Sequence, residues 1–232
     1  MMGFHSNEYR DYVVIENMLS SVVGGSVVVQ VFPEKYLEVG ESKLVLGDME
    51  DITAERRRFN PADHAVRHGV VRMCNYKKVL EYDGYSIQIC VKPGDEVWFD
   101  YYSGMNAPLL KYRSGWYYIM RYSDLLVRKR EGEVYPLNGY VLCDTIEENI
   151  EIGNGITLVM NKPVLFNKAK LTHVGQLPYY EDDFEHIVPP IGAVIYTKKP
   201  IIMLEDNLHL FLDGKPHRVL KLDDIDAYEE EA

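Results

Sequence analysis

The sequence contains one order of motifs twice, about a hundred residues apart, and this repetition limits the folds open to the chain. Each copy runs from an apolar strand through a short apolar island to a turn that enters a second strand, and it closes with another apolar run. The first copy comprises residues 27–31, 44–47, 91–99 and 118–127. The second copy comprises residues 140–143, 155–158, 188–196 and 218–225. This repetition predicts two similar domains in tandem.

Short runs rich in valine and tyrosine fill both copies, and Gly, Pro, Asn and Asp separate them. Because β-branched and aromatic side chains pack well on a pleated surface, this composition predicts an all-β protein. Asp83-Gly84 lies between two such runs and predicts a two-residue hairpin turn, in which glycine tolerates a positive φ. We predict a first domain over residues 26–130, a charged linker over 129–133 and a second domain over 134–228.

Residues 1–25 precede the first domain as an N-terminal extension. Within it, residues 8–23 place apolar side chains at spacings of three and four, the period of one helix face. These side chains are Tyr12, Ile15, Met18, Leu19 and Val22. The spacing predicts a short N-terminal helical segment that covers one end of the first domain. Residues 229–232 are predicted to form a solvated acidic tail.

Residues 48–68 interrupt the strand pattern of the first domain. Asp51 or Thr53 is suited to cap a helix. Asn60-Pro61 is suited to stop one, because proline disfavours helical backbone in the residue before it. We interpret this segment as an insertion beside the first apolar island that contains a short helix.

Acidic residues outnumber basic ones, with 36 Asp and Glu against 25 Lys and Arg, which gives a net charge of −11. A surface with this balance repels a phosphate backbone, so we expect no nucleic-acid partner. The basic cluster at residues 56–58 follows Glu55 and is interpreted as a solvated face without a ligand.

Cysteine content and the pattern of apolar residues indicate the compartment. Cys74, Cys90 and Cys143 lack the even number and close spacing of a disulfide scaffold or a zinc knuckle. We interpret them as small buried hydrophobes in a reducing compartment. Charged residues among the first apolar ones argue against a signal peptide, and no window reaches the apolar length of a membrane span. We therefore expect a cytoplasmic protein with no membrane partner.

Residue groups that resemble catalytic or metal sites are weak in this sequence. His64 and His68 have the i, i+4 spacing of a metal-binding helix face, but no third ligand accompanies them, which favours a surface pair. The run that contains Asp182, Asp183, Glu185 and His186 is contiguous, so its alternate side chains point apart, as in a solvated loop. No nucleophile elbow, phosphate-binding loop or Cys-His arrangement appears in the sequence. We predict that the protein is not an enzyme and uses no metal and no cofactor.

The order of the motifs resembles that of the GroES family of small co-chaperonins, which close the folding chamber of the large chaperonin ring. Residues 91–99 match the family's Val-Lys-x-Gly-Asp-x-Val-x-Phe element almost residue by residue, and residues 122–127 match its closing Ser-Asp-Ile-Leu-Ala-Val strand. Residues 43–47 fall where the family has a long mobile loop with an apolar core. Residues 155–158 resemble that loop core again, whereas Ile191-Gly192-Ala193 departs from the family's Pro-Gly-Asp turn.

This resemblance implies a fold of two tandem GroES-like irregular antiparallel β-barrels, and it leaves out the N-terminal extension and the insertion. It also implies that the protein is a co-chaperonin, which assists protein folding by capping a chaperonin ring as a homo-oligomer. The partner-binding residues that it implies are Leu44, Val45, Leu46, Ile156, Thr157 and Leu158.

Loops of this kind bind their partner through many weak contacts. Each apolar side chain contributes about 1.5–3 kcal/mol when it is buried in a hydrophobic groove. Ordering the loop opposes this by about 1–2 kcal/mol per residue. A single loop is therefore expected to bind weakly, and several loops on one ring are expected to bind tightly through their high effective concentration.

Two alternatives remain open at this point. The apolar runs at 44–46 and 156–158 are also suited to be ordinary strands of their barrels. The protein as a whole is also suited to be a structural ring or assembly protein, for example of a phage particle, built from GroES-like barrels and without a chaperonin partner. Binding to a nucleotide-loaded chaperonin distinguishes the two functions.

Overall fold

The computed structural model describes residues 12–32, 36–39, 42–45, 66–146, 149–152, 156–159, 168–180, 187–197 and 208–230. Most of these residues lie in β-strands, which confirms the predicted all-β class. The chain divides into two compact units. The first comprises Met1–Val134 and Pro178–Asp182, and the second comprises Tyr135–Leu177 and Asp183–Ala232. The helix predicted in the insertion lies outside the described residues.

The first unit contains an eight-stranded sheet. The strands from the N-terminus to Pro136 are β1 (Val13–Val14), β2 (Ser26–Val31), β3 (Tyr36–Val39), β4 (Ser42–Val45), β5 (Val66–Cys74), β6 (Val79–Tyr82), β7 (Tyr85–Gln88), β8 (Glu96–Asp100), β9 (Leu109–Tyr112), β10 (Gly115–Arg121), β11 (Leu125–Arg130) and β12 (Glu133–Pro136). The unit boundary after Val134 falls within β12. A short helix, α1 (Tyr101–Asn106), follows β8. The sheet has the order β1-β9-β10-β2-β5-β8-β11-β12. Strands β6 and β7 pair across Asp83-Gly84, where Gly84 has a φ of +81°, and this confirms the predicted hairpin.

The second unit contains a six-stranded sheet. The remaining strands of the chain are β13 (Tyr140–Thr145), β14 (Asn149–Ile152), β15 (Ile156–Val159), β16 (Lys168–Val174), β17 (Tyr179–Tyr180), β18 (Val194–Thr197), β19 (Leu208–Leu212), β20 (Lys215–Lys221) and β21 (Ile225–Glu229). The sheet has the order β19-β20-β13-β16-β18-β21. Strand β17 belongs to the first unit, where it pairs with β7.

Six strands of each large sheet follow one order. The order β9-β10-β2-β5-β8-β11 in the first unit corresponds to β19-β20-β13-β16-β18-β21 in the second. Val27 pairs with Met120 as Val141 pairs with Leu220. The pairings of β2 with β5 and of β13 with β16 are each interrupted by a register shift at the corresponding residue. The repeat in the sequence therefore accompanies a repeat in backbone topology.

A glycine turn recurs before β8 and before β18. Gly94 has a φ of +97° and Gly192 a φ of +95°, a region that residues with a Cβ rarely adopt. The Gly94 amide donates to the Val71 carbonyl at 2.9 Å, and the Gly192 amide donates to the Leu171 carbonyl at 2.8 Å. The turn thus keeps its backbone geometry in the second unit, although Ile-Gly-Ala replaces Pro-Gly-Asp there.

The core of each unit forms around its central strand. Val27, Val28 and Val29 of β2 have no exposed surface, and the rings of Phe99 and Tyr118 meet edge to face at 6.0 Å. The buried cluster of the second unit consists of Val141, Cys143, Ala169, Leu171, Ile195 and Leu220. Each sheet therefore has its own hydrophobic core.

All three cysteines are free thiols. Cys143 is fully buried, and burial raises the pKa of its thiol to about 12. Cys74 and Cys90 are half-buried, and burial raises the pKa of the Cys74 thiol to about 11. The interpretation as buried hydrophobes is therefore confirmed for Cys143, whereas the other two thiols keep part of their surface exposed.

The predicted N-terminal helix is wrong for residues 12–23, which contain no helix. Val13 and Val14 form strand β1, which runs parallel to β9 with Val13 opposite Leu110. The Tyr12 ring packs on the Trp116 ring at 5.0 Å. Adjacent β-branched residues favour extended backbone, and the open edge of β9 supplies the hydrogen bonds that a helix would otherwise make internally. The first four residues of the predicted segment lie outside the described residues.

The predicted linker at residues 129–133 is a hairpin turn instead. Lys129 and Arg130 end β11, and Glu133 begins β12, which pairs with it. The turn residues Glu131 and Gly132 have φ values of +52° and +87°. This pair of positive φ angles matches the right-handed twist of the flanking strands, so the charged segment forms a tight turn.

An ion pair fixes the glycine turn of the first unit to β11. Asp95 is 2 % exposed, and both of its carboxylate oxygens accept hydrogen bonds from Arg130, with Nε and Nη2 each at 2.7 Å. The Lys92 amide donates to Asp95 Oδ2 at 2.8 Å, and Arg130 Nη2 also donates to the Cys90 carbonyl at 3.0 Å. The hydrogen bonds with Asp95 raise the pKa of Arg130.

Breaking this ion pair is expected to destabilise the first unit. Arg130→Met leaves the Asp95 carboxylate buried without its cation and should lower the free energy of unfolding by about 3 kcal/mol. Asp95→Ala should lower the free energy of unfolding less, because the Arg130 side chain that loses its partner retains contact with water. Urea denaturation followed by tryptophan fluorescence reports on this unit, since both tryptophans of the chain, Trp98 and Trp116, lie in it.

Glu81→Ala, which removes an exposed charge from β6 of the same unit, is the matched control. Equal urea midpoints for Arg130→Met and this control would show that the ion pair contributes no stability.

Candidate partner-binding site

The first group of predicted binding residues lies in a two-stranded hairpin. Leu44 and Val45 belong to β4, which pairs only with β3 in the described part of the chain, with Leu37 opposite Leu44. Leu46 lies outside the described residues. Among the residues that the structure describes, this hairpin forms a two-stranded sheet that is separate from the eight-stranded sheet.

The second group of predicted binding residues lies in a matching hairpin. Ile156, Thr157 and Leu158 belong to β15, which pairs with β14 with Ile150 opposite Leu158. Within the described residues this hairpin is again a separate two-stranded sheet. The predicted binding residues that the structure describes therefore have extended backbone, and within the described residues they lie outside both large sheets.

Both hairpins occupy the same place in the repeated topology. The pair β3–β4 lies between β2 and β5 in the chain, and β14–β15 lies between the corresponding strands β13 and β16. A hairpin of two short strands is at best marginally stable by itself in water, and it becomes stable when a further strand or surface covers it. Two such elements at corresponding positions are therefore suited to dock on an apolar surface of another protein.

The other sequence candidates do not form a site in the described structure. His68 lies on β5 and is 8 % exposed, so its interpretation as half of a surface pair with His64 is wrong for His68. Its Nε2 is 3.3 Å from Glu96 Oε2, and its ring lies 4.8 Å from the Trp98 ring. Burial lowers the pKa of His68, against the opposing effect of Glu96. His64, the basic cluster at 56–58 and the acidic run that contains Asp182, Asp183, Glu185 and His186 lie outside the described residues.

Sequence reasoning missed a polar cluster in the second unit. His217 Nδ1 is 2.7 Å from Asp144 Oδ1, and the His217 and His173 rings meet edge to face at 5.6 Å. Thr172 Oγ1 lies 3.1 Å from His173 Nδ1. Burial lowers the pKa of His173, the nearby His217 lowers it further, and Asp144 opposes both effects.

A signal for this cluster was present in the repeat. The pairing registers match Asp144 with Gln30 and Thr172 with Arg72 of the first unit. There, Arg72 Nε donates to Gln30 Oε1 at 2.7 Å. Aligning the two repeats strand by strand would therefore have placed polar side chains on both β13 and β16 here, but not the contacts of Asp144 and His173 with His217 on β20. The alignment requires the strand order, which the sequence does not display.

Comparison with known proteins does not assign the chain to a family. No protein-family model matches the chain, and no curated protein matches it. Among the residues that the structure describes, no group of three or more His, Cys, Asp or Glu side chains is arranged to hold a metal ion. No helix in the same stretches is long and apolar enough to cross a membrane. The repeated hairpins are the features from which a function can be argued.

Protonation of His173 is expected to destabilise the second unit in acid. Because its pKa in the folded state is below the ordinary value of 6.5, the unfolded state binds protons more readily. The contribution of the neutral His173 ring to the free energy of unfolding is complete above pH 6.5. This contribution is lost as the pH falls through the lowered pKa of His173. His173→Met, which places the corresponding residue of the first repeat there, should reduce this loss.

Hydrogen exchange of peptides from β13, β16 and β20, compared at about pH 7.5 and about pH 5.5, measures the effect. His68→Gln in the first unit is the control and should leave the exchange of these peptides unchanged. If the wild-type and His173→Met proteins lose the same protection in acid, His173 does not cause the acid sensitivity.

Proposed function

We propose that the protein is a co-chaperonin, a homo-oligomeric cap that binds a chaperonin ring through the two apolar hairpins β3–β4 and β14–β15. The observation that carries this proposal is the repetition of these hairpins. They stand at the same point of two matching topologies, carry apolar residues, and form sheets separate from the large ones in the described structure. Such an arrangement suits binding to a partner and requires no bond to be made or broken.

The repeated topology supports GroES-like barrels as the fold of this cap. Both units share six strands in one order, a register shift at one place and a turn glycine with positive φ. The proposal closes each set of strands into an irregular antiparallel barrel. Closure would remove the exposed edges that an open sheet presents to other chains.

The binding strength expected of one hairpin is low. Burial of Leu44, Val45 and Leu46 in an apolar groove contributes about 1.5–3 kcal/mol per side chain. Ordering the hairpin costs about 1–2 kcal/mol per residue, so most of this gain is offset. Several hairpins presented together on one oligomer raise the effective concentration, and the cap binds tightly while each contact stays reversible.

Charged substitutions in the first hairpin are expected to abolish chaperonin binding. The combined variant Leu44→Asp, Val45→Asp and Leu46→Asp places carboxylates where the proposal requires apolar contact, and burying them is unfavourable. Wild-type protein should co-migrate with a purified, ATP-loaded chaperonin ring in size-exclusion chromatography, and the variant should elute separately. Ile156→Asp with Leu158→Asp tests the second hairpin in the same way.

The matched control carries three added charges at exposed apolar residues outside both hairpins, Val79→Asp, Ile187→Asp and Ile191→Asp. It should co-migrate like the wild type, and far-ultraviolet circular dichroism should show a folded protein in every case. Binding by the first-hairpin variant at wild-type strength would contradict the assigned role of these residues. A wild-type protein that never co-migrates with the ring would favour the structural assembly protein instead.

A further inference from the structure

The strands of each two-stranded hairpin have two faces that differ in chemistry. In an antiparallel pair, residues directly opposite each other share a face, and their neighbours along the strands share the other face. In β3–β4, one face consists of two opposite pairs, Leu37 with Leu44 and Val39 with Ser42. Three of these four residues are aliphatic and none is charged, so this set is the apolar face of the first hairpin.

The opposite face of the first hairpin is polar. It consists of the pairs Tyr36 with Val45 and Glu38 with Lys43, so both charged residues of the two strands lie on it. Leu44 and Val45 are neighbours in the sequence, but they belong to different faces. Leu44 is therefore the residue of β4 whose apolar face continues onto β3.

The second hairpin has the same division. Its apolar face consists of four aliphatic residues, in the pairs Ile150 with Leu158 and Ile152 with Ile156. Its polar face contains Glu151, the one charged residue of the two strands, opposite Thr157. Both hairpins thus carry an apolar face that spans both of their strands.

This division is kept although the two hairpins differ in the lengths of their connections. Four residues separate β2 from β3, whereas three separate β13 from β14. Two residues join β3 to β4, whereas three join β14 to β15. A shift of one residue turns a strand's side chains to the other face unless the pairing shifts with it. The apolar residues therefore follow the pairing of each hairpin rather than a fixed spacing in the sequence.

A hairpin with one apolar face is suited to lie with that face on an apolar surface. Antiparallel sheets that are packed on one side and solvated on the other show the same alternation. A strand that adds to the edge of another sheet binds through its backbone groups, which does not require apolar residues on one face. The matching faces of the two hairpins therefore favour docking of a face over addition of a strand.

We infer that each hairpin binds the chaperonin with its apolar face, so that β3 and β14 contribute contacts as well as β4 and β15. This assignment rests on the proposed function and deepens it. It adds four partner-binding residues to which the resemblance gives no role, namely Leu37, Val39, Ile150 and Ile152.

The chemistry of the receiving surface follows from the same geometry. Neighbouring strands lie about 4.8 Å apart, so the groove on the chaperonin must be wide enough for two strands side by side. The groove must be apolar, because no residue of either apolar face is charged. Glu38 and Glu151 each follow a residue of the apolar face and lie on the polar face, which is left toward water.

Charges placed on one face or the other test this assignment. Leu37→Asp with Ile150→Asp places a carboxylate on each apolar face and should weaken binding to a purified, ATP-loaded chaperonin ring by at least about tenfold. Tyr36→Asp with Asn149→Asp is the matched control, because each change lies one residue earlier on the same strand and therefore on the polar face. The control should bind as tightly as the wild type. Fluorescence anisotropy of amino-terminally labelled protein, titrated with the ring, measures the affinities.

A second measurement separates binding from folding. Because the apolar faces are assigned to the partner, both double variants should unfold at the same urea concentration. Tryptophan fluorescence reports this for the first unit, and far-ultraviolet circular dichroism reports it for the whole chain. A clearly lower midpoint for Leu37→Asp with Ile150→Asp than for the control would show that the apolar faces pack within the chain itself, and would overturn the assignment.

The binding results also distinguish this assignment from the proposed function. A wild-type protein that does not bind the ring would refute both. If the wild type binds, and the variant with charged apolar faces binds equally well, the assignment fails and the proposed function stands. The same conclusion follows if both double variants lose binding to the same extent.

Discussion

Strands β2 and β13 are hydrogen-bonded along both edges, and the rest of each unit is organised around them. β2 lies between β10 and β5, and Val27, Val28 and Val29 have no exposed surface. β13 lies between β20 and β16, and Val141 and Leu142 are equally buried. A strand buried on both faces is a continuous apolar run rather than an alternating one. Backbone hydrogen bonds therefore determine which strands lie on either side of this central strand. The loops between the strands can differ from one unit to the other.

The two repeats share backbone geometry more closely than side chains. Gly94 and Gly192 have almost the same positive φ and make the same hydrogen bond, although Asp95 corresponds to Ala193. The ion pair of Asp95 with Arg130 is therefore an addition to a turn that forms without it. A turn requires a residue that adopts positive φ and a carbonyl that accepts its amide, and both requirements can be met while the surrounding side chains change.

Local features of the sequence predicted the fold class and the Asp83-Gly84 hairpin, because both depend on neighbouring residues. The wrong N-terminal helix and the missed polar cluster concern pairing between distant residues. Helical spacing in residues 8–23 suggested a helix, but the open edge of β9 draws Val13 and Val14 into a strand. The backbone of the candidate binding residues lies in hairpins whose separation from the large sheets appears only with the strand order. The contact between His173 and His217 was not predictable for the same reason, since it joins two strands that flank β13.

The proposed function depends on the weakness of each hairpin. A single chain carries two hairpins, so whatever one copy gains from multivalency is limited to two contacts. A homo-oligomer would add two hairpins with each copy and would present them together, so the cap would bind tightly while each contact stays reversible.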